Sequence, residues 1–205
     1  MSRDREILLG KDYTKREIPD VTSYEQLDPQ IVQGIIKCVH ASGMRTSDQD
    51  VLDHINGDIV IVYQDVKTQD VIAFSSTSFI SPNEHLKTDD ISDEVGCYLV
   101  GATIAREWQG NSLYTRMNES RIGFGLERGL NLVFTQTQNR RVMHGIESVL
   151  KTNVEKGLIA GYQMAEPILR LGHYGRMLTE EMPLRFDGLD YGKGDCYMLL
   201  FNLQR

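Results

Sequence analysis

Between Val95 and Lys156 the chain reads strand, helix, strand, helix, and that order leaves few folds open. Val95 to Ile104 is a long strand. The turn Arg106-Glu107-Trp108-Gln109-Gly110-Asn111-Ser112 leads from it into a helical segment that runs to Arg128, with Leu113, Met117 and Phe124 on one side and Gly129 as its stop. Gly123 and Gly125 each cost this helix about 1 kcal/mol against alanine, so its last turn relies on packing. Leu130 to Thr135 is a short buried strand. Asn139 to Lys156 is an amphipathic helix that turns Val142, Ile146, Val149, Leu150 and Val154 to one face and stops at Gly157. Two strands joined through a helix run parallel, so at least one parallel pair is required.

The flanks are of a different kind. Asp28-Pro29 opens a helix with an N-cap and a proline at the first helical position, and Ile31, Val32, Ile35, Ile36 and Val39 form its apolar face before Ser42-Gly43 ends it. A second short helix starts at Ser47 and closes at Asn56-Gly57. Ile59 to Tyr63 and Val71 to Phe74, on either side of a polar turn, read as an antiparallel hairpin. Ser81 to Glu94 sets five carboxylates against Lys87 and reads as a loop, Leu158 to Asp195 is turn-rich, and Cys196 to Phe201 is a final strand. The expected fold is α/β, with a mixed, mostly antiparallel central sheet and helices on both faces. At 205 residues the chain suits a single domain, with 1–15 as a loose N-terminal extension.

Charge and cysteine usage narrow the function classes. With 22 Lys+Arg against 29 Asp+Glu, net charge −7, a broad nucleic-acid-binding surface is disfavoured, and a cationic or amine-bearing substrate suits the field better than a polyanion. Cys38, Cys97 and Cys196 are odd in number and lie in helix or strand segments, as buried reduced thiols do, which makes a cytoplasmic protein the expectation. The charged N-terminus has only the short Ile7-Leu8-Leu9 run, too little for an export signal or a membrane anchor. The five histidines are scattered, and no Cys/His pair has zinc-ligand spacing, so no metal is expected.

The turn before the second-half helix carries the chemistry. A strand that enters a glycine turn and then a helix gathers backbone N–H groups and the positive end of the helix dipole at one point, which binds phosphate. Gln109, Gly110, Asn111, Ser112, Leu113 and Tyr114 supply the amides, and Gly110 lets a ligand approach the backbone; as a motif alone, one glycine before a helix is common.

Ile104-Ala105-Arg106-Glu107-Trp108-Gln109-Gly110-Asn111-Ser112-Leu113 resembles the strand-to-helix segment of the GNAT N-acetyltransferase superfamily, and the element order over residues 16 to 205 matches as well. The resemblance implies acetyl-CoA as acyl donor, with Gln109 to Tyr114 on its pyrophosphate, backbone partners for pantetheine at Thr103 and Ile104, and Asn139 near the cofactor. It implies direct transfer to a primary amine of a small molecule or peptide, and it admits a homodimer.

Such a transfer needs a base for the ammonium proton and an acid for the departing thiolate. Glu94 is the expected base and Tyr174 the expected acid, with Tyr98 and His173 lining the acceptor site. Two departures from the family pattern stand out: Ser112 and Tyr114 occupy the two glycine or small-residue positions of the pyrophosphate turn, and the helix after Asn139 lacks the family's tyrosine. A catalytically inactive module that binds CoA or a protein partner, and a longer acyl donor, are therefore the alternative readings.

Overall fold

The computed structural model describes residues 5–8 (by backbone), 12–44, 46–173 and 184–205. The strands are β1 (Arg5–Leu8), β2 (Tyr13–Val21), β3 (Gly57–Asp65), β4 (Val71–Ile80), β5 (Gly96–Ile104), β6 (Leu132–Thr137), β7 (Gly161–Met164), β8 (Ile168–Arg170) and β9 (Cys196–Gln204). The helices are α1 (Pro29–Ala41), α2 (Asp48–Asp53), α3 (Pro82–Leu86), α4 (Leu113–Glu127) and α5 (Arg140–Glu155). Contacts gather them into two compact units, Met1–Ser78 with Val100–Met117, and Phe79–Leu99 with Asn118–Arg205.

In the first unit β1, β2, β3 and β4 pair antiparallel in sequence order. β2 begins at Tyr13, so residues 13–15 of the stretch expected to be loose belong to the sheet: Tyr13 and Lys15 are paired with β3 and buried. The strand is held there because Tyr13 packs edge-on against Tyr63 and Trp108. Asp28 and Ser47 cap α1 and α2 as their sequences require, each side chain accepting a backbone N–H of the first turn. Ile31, Ile35 and Val39 of α1, Val51 of α2 and Ile55 just beyond it close over Val60, Val62 and Phe74. Tyr13 and Tyr63 lie on the opposite sheet face, and there Arg116 of α4 donates to the Tyr13 hydroxyl at 2.8 Å.

The second unit contains the parallel pair that the helix-crossed strands demand. β5 and β6 are in parallel register at Cys97↔Val133 and Tyr98↔Phe134, while β9 pairs antiparallel with β6, β7 and β8. Cys97, Leu99, Val133, Leu199 and Phe201 face Ile122 of α4 and Ile146, Val149 and Leu150 of α5. Gly125 is needed for this approach: a Cβ there would stand 2.9 Å from the Cβ of Cys97. Buried Ile122 takes the core place that the sequence reading gave to half-buried Phe124.

The acidic stretch read as a loop contains α3. Its signals are present in the sequence: Ser81 as N-cap accepting from the Glu84 amide, then Pro82 at the first helical position. Asn83, buried, ties the rest of the stretch to the helix; its side-chain carbonyl accepts from the Ile91 and Ser92 amides at 2.9 Å each, and its amide donates to Asp93.

Candidate functional site

The strand-to-helix turn lies in the first unit. Gln109 donates from its side chain to the Ile104 carbonyl at 3.1 Å, which closes the turn back onto the end of β5. Gly110 has φ +88° and Ser112 φ +58°, both left-handed. Ser112 therefore adopts the backbone for which glycine is the ordinary residue, which explains what a glycine would do at that position and how this chain does without one. A Cβ built on Gly110 would have no atom within 4 Å, so the backbone there is bare on that side. The first bond of α4 runs from the Arg116 amide to the Ser112 carbonyl, and the amides of the first turn before it have no intrahelical acceptor. Bare backbone at Gly110, exposed Asn111 and Ser112 and a helix start together suit a phosphate group.

Trp108 and Arg116 hold this turn from either side, both against Tyr13. Thr103 and Ile104 end β5 with little exposure; the Thr103 hydroxyl contacts Met44 Sδ at 3.7 Å, and the Ile104 carbonyl already accepts from Gln109. Leu113 is buried, and Tyr114 half-buried.

The second unit brings together a different group. Tyr98 stacks on Phe134 with centroids 4.8 Å apart and planes at 19°, and His85 of α3 lies over Tyr98 at 4.1 Å. These rings occupy the face of β5 and β6 opposite the α4 and α5 core. By strand alternation and register, Gln136, Met198, Cys196 and Arg170 share that face. Where the parallel register ends, the Thr135 hydroxyl donates to the Leu99 carbonyl at 2.9 Å. Burial pushes the His85 imidazole below its ordinary pKa; hydrogen bonding by Gln136 opposes this, and the Arg170 charge adds to it. The ring is thus neutral near pH 7 and able to accept a proton.

The sequence-derived site residues are not all gathered there. Tyr98 joins the cluster. Glu94 is exposed before β5, its amide donating to the Ser92 hydroxyl. His173 is exposed and lies 3.3 Å from Arg170 Nη2 through its Nε2. Asn139 is the N-cap of α5, its side-chain oxygen accepting from the Arg141 amide at 2.9 Å. Arg140 pairs with Asp187 at 3.0 Å. Tyr174 lies outside the described residues. Sequence reading missed His85, Phe134, Gln136 and Arg170. Only His85 had a local signal, the Ser81-Pro82 helix start that fixes its place; the others meet it through strand register.

All three thiols are pushed up by burial, Cys38 and Cys97 to about 12 and Cys196 to about 11, so none is a thiolate at neutral pH. Among the described residues, no group of three His, Cys, Asp or Glu side chains could hold a metal ion, and no helix is long and apolar enough to cross a membrane.

No protein-family model matches the chain, and no curated protein does. Solved structures do. Naa20 of Chaetomium thermophilum, in complex with a bisubstrate analogue, is similar at 12% identity and TM-score 0.58, over 87% of this chain and 84% of that one. The ribosomal-protein-S18-alanine N-acetyltransferase of Escherichia coli is similar at 12% identity and TM-score 0.53, over 92% and 96%. The ribosomal-protein-S5-alanine acetyltransferase of Vibrio fischeri is similar at 11% identity and TM-score 0.52, over 96% and 96%. The chain has the mixed α/β fold of the GNAT N-acetyltransferases.

Proposed function

We propose that the chain is an acetyl-CoA-dependent N-acetyltransferase that moves an acetyl group directly to a primary amine of a small molecule or peptide. The carrying observation is the turn from Gln109 to Ser112, with two left-handed residues and bare backbone at Gly110, set before α4 in a GNAT fold. Gln109, Gly110, Asn111, Ser112, Leu113 and Tyr114 hold the pyrophosphate through backbone amides, and Thr103 and Ile104 offer backbone to pantetheine. Acetyl-CoA, when bound, supplies the acetyl group as an activated thioester.

His85 takes the ammonium proton, because burial keeps its imidazole neutral while Tyr98 and Phe134 hold the ring in place. Exposed Glu94 contributes negative charge that draws the ammonium. Tyr98 and His173 contact the acceptor, and Tyr174 protonates the thiolate. Asn139 is engaged as the α5 cap, so its part at the cofactor is limited to its remaining amide donors.

The test is calorimetric titration with acetyl-CoA, with ADP as control, followed by an assay of thiol release with added amines. Saturable one-site binding in the micromolar range, about −8 kcal/mol, lost in Gly110→Trp, supports the phosphate turn. Amine-dependent thiol release supports the enzyme; binding without release supports the inactive module. Absence of binding removes the reading.

A further inference from the structure

Among the described residues, Arg170 has no counter-ion. It sits half-buried at the end of β8. Its Nε is shut off from solvent and has no hydrogen-bond partner. Among the described residues its guanidinium meets one polar group, His173 Nε2 at 3.3 Å, and no ion pair joins it to a carboxylate. Asp195, next to the Cys196 that faces Arg170 across the strands, is engaged elsewhere: one oxygen accepts from the Gly172 amide and the other from the Asp190 amide, both at 3.1 Å. A guanidinium carries five donors in a planar fork that matches an oxyanion, and leaving them unmet in a half-buried place is costly.

The carboxylate near Arg170 is Asp195, whose charge is also felt at Cys196 and whose two oxygens are taken by backbone amides. Register places Arg170 on the same sheet face as Gln136, Phe134 and Tyr98, the face on which His85 packs against Tyr98. His173 accepts from Arg170 through Nε2, which leaves its Nδ1–H as a donor, and the Arg170 charge is felt at His85 and at Cys196. We propose that Arg170, with His173 and His85 beside it, is a subsite for an oxyanion carried by the acceptor, so that the acceptor is a primary amine bearing a carboxylate or phosphate group. The assignment to an acceptor rests on the acyl-transfer reading. The oxyanion subsite rests on Arg170 alone and its surroundings.

The two are separated by a titration that needs no turnover. The full chain carrying ¹³C-labelled histidine is titrated at fixed pH with propionate in one arm and methyl phosphate in the other, with sodium chloride at matched ionic strength as the blank. The expected result is saturable movement of the His85 and His173 ring signals beyond the blank, the stronger arm identifying the anion. Arg170→Gln should weaken apparent affinity at least tenfold, and Arg170→Lys, which keeps charge but loses the fork, should weaken it less. The lysine variant decides the matter if the glutamine variant fails to fold.

No movement beyond the blank in either arm, or equal movement in both variants and the wild type, overturns the subsite. Saturation in a chain that releases no thiol from acetyl-CoA keeps the subsite and removes the acyl-transfer reading. In a chain that does turn over, Arg170→Gln should raise KM at least tenfold for an amino acid against its own amide. An equal rise for both overturns the assignment to the acceptor.

Discussion

At His85, burial and proton chemistry pull in one direction. The folded pKa lies below the ordinary 6.5, so as pH falls the unfolded state takes up the proton first. Stability is therefore undiminished above about 6.5 and declines below it. Chemical denaturation between pH 5 and 8 should show that decline, shallower in His85→Asn. If His85 is the base, its replacement should lower kcat by about 10²–10⁴-fold and remove the acidic limb of the rate profile, whereas Glu94→Gln should leave that limb in place. Ser112 offers a second residue-scale test. Its left-handed φ of +58° costs a serine about 1 kcal/mol, partly offset by the entropy a glycine would lose on folding. Thermal unfolding should place Ser112→Gly at or up to about 1 kcal/mol above the wild type, and Ser112→Val about 1–3 kcal/mol below it.

At the scale of elements, two glycines in α4 make a matched pair. Gly125 faces Cys97 with no room for a Cβ, whereas a Cβ at Gly123 meets nothing within 4 Å. Gly125→Ala should cost about 1–3 kcal/mol through overpacking, and Gly123→Ala should gain about 0.5–1 kcal/mol from helix propensity, both read from denaturant midpoints. Sequence alone charged both glycines with the same penalty, because propensity is a property of the helix and the contact belongs to β5. The acidic stretch shows the converse. Its helix has local signals in Ser81, Pro82 and Glu84, set within a stretch of five carboxylates. Asn83 then does what no local pattern announces, satisfying two backbone amides eight and nine residues away. Asn83→Ala should cost about 1–3 kcal/mol and, by loosening α3, lower His85-dependent activity more than it lowers acetyl-CoA affinity.

For the whole molecule, the three cysteines are reporters of folding. All are buried, with thiols raised to about 11 or 12. At pH 8 the native chain should resist a thiol-specific disulfide reagent over the time in which the denatured chain reacts completely, and rapid reaction of any one would show local opening. The residues of one element and its caps lie within a few positions of each other, so sequence by itself determined α1, α2 and α5 with their caps, the hairpin, the parallel requirement and the glycine turn before α4. What only the tertiary structure decided is what crosses strands. Tyr13, far from the turn in sequence, braces Trp108 and Arg116; His85, Tyr98, Gln136 and Arg170 share one sheet face. Strand register and burial set those meetings and lower the pKa of His85, and neither quantity is a property of any single segment of chain.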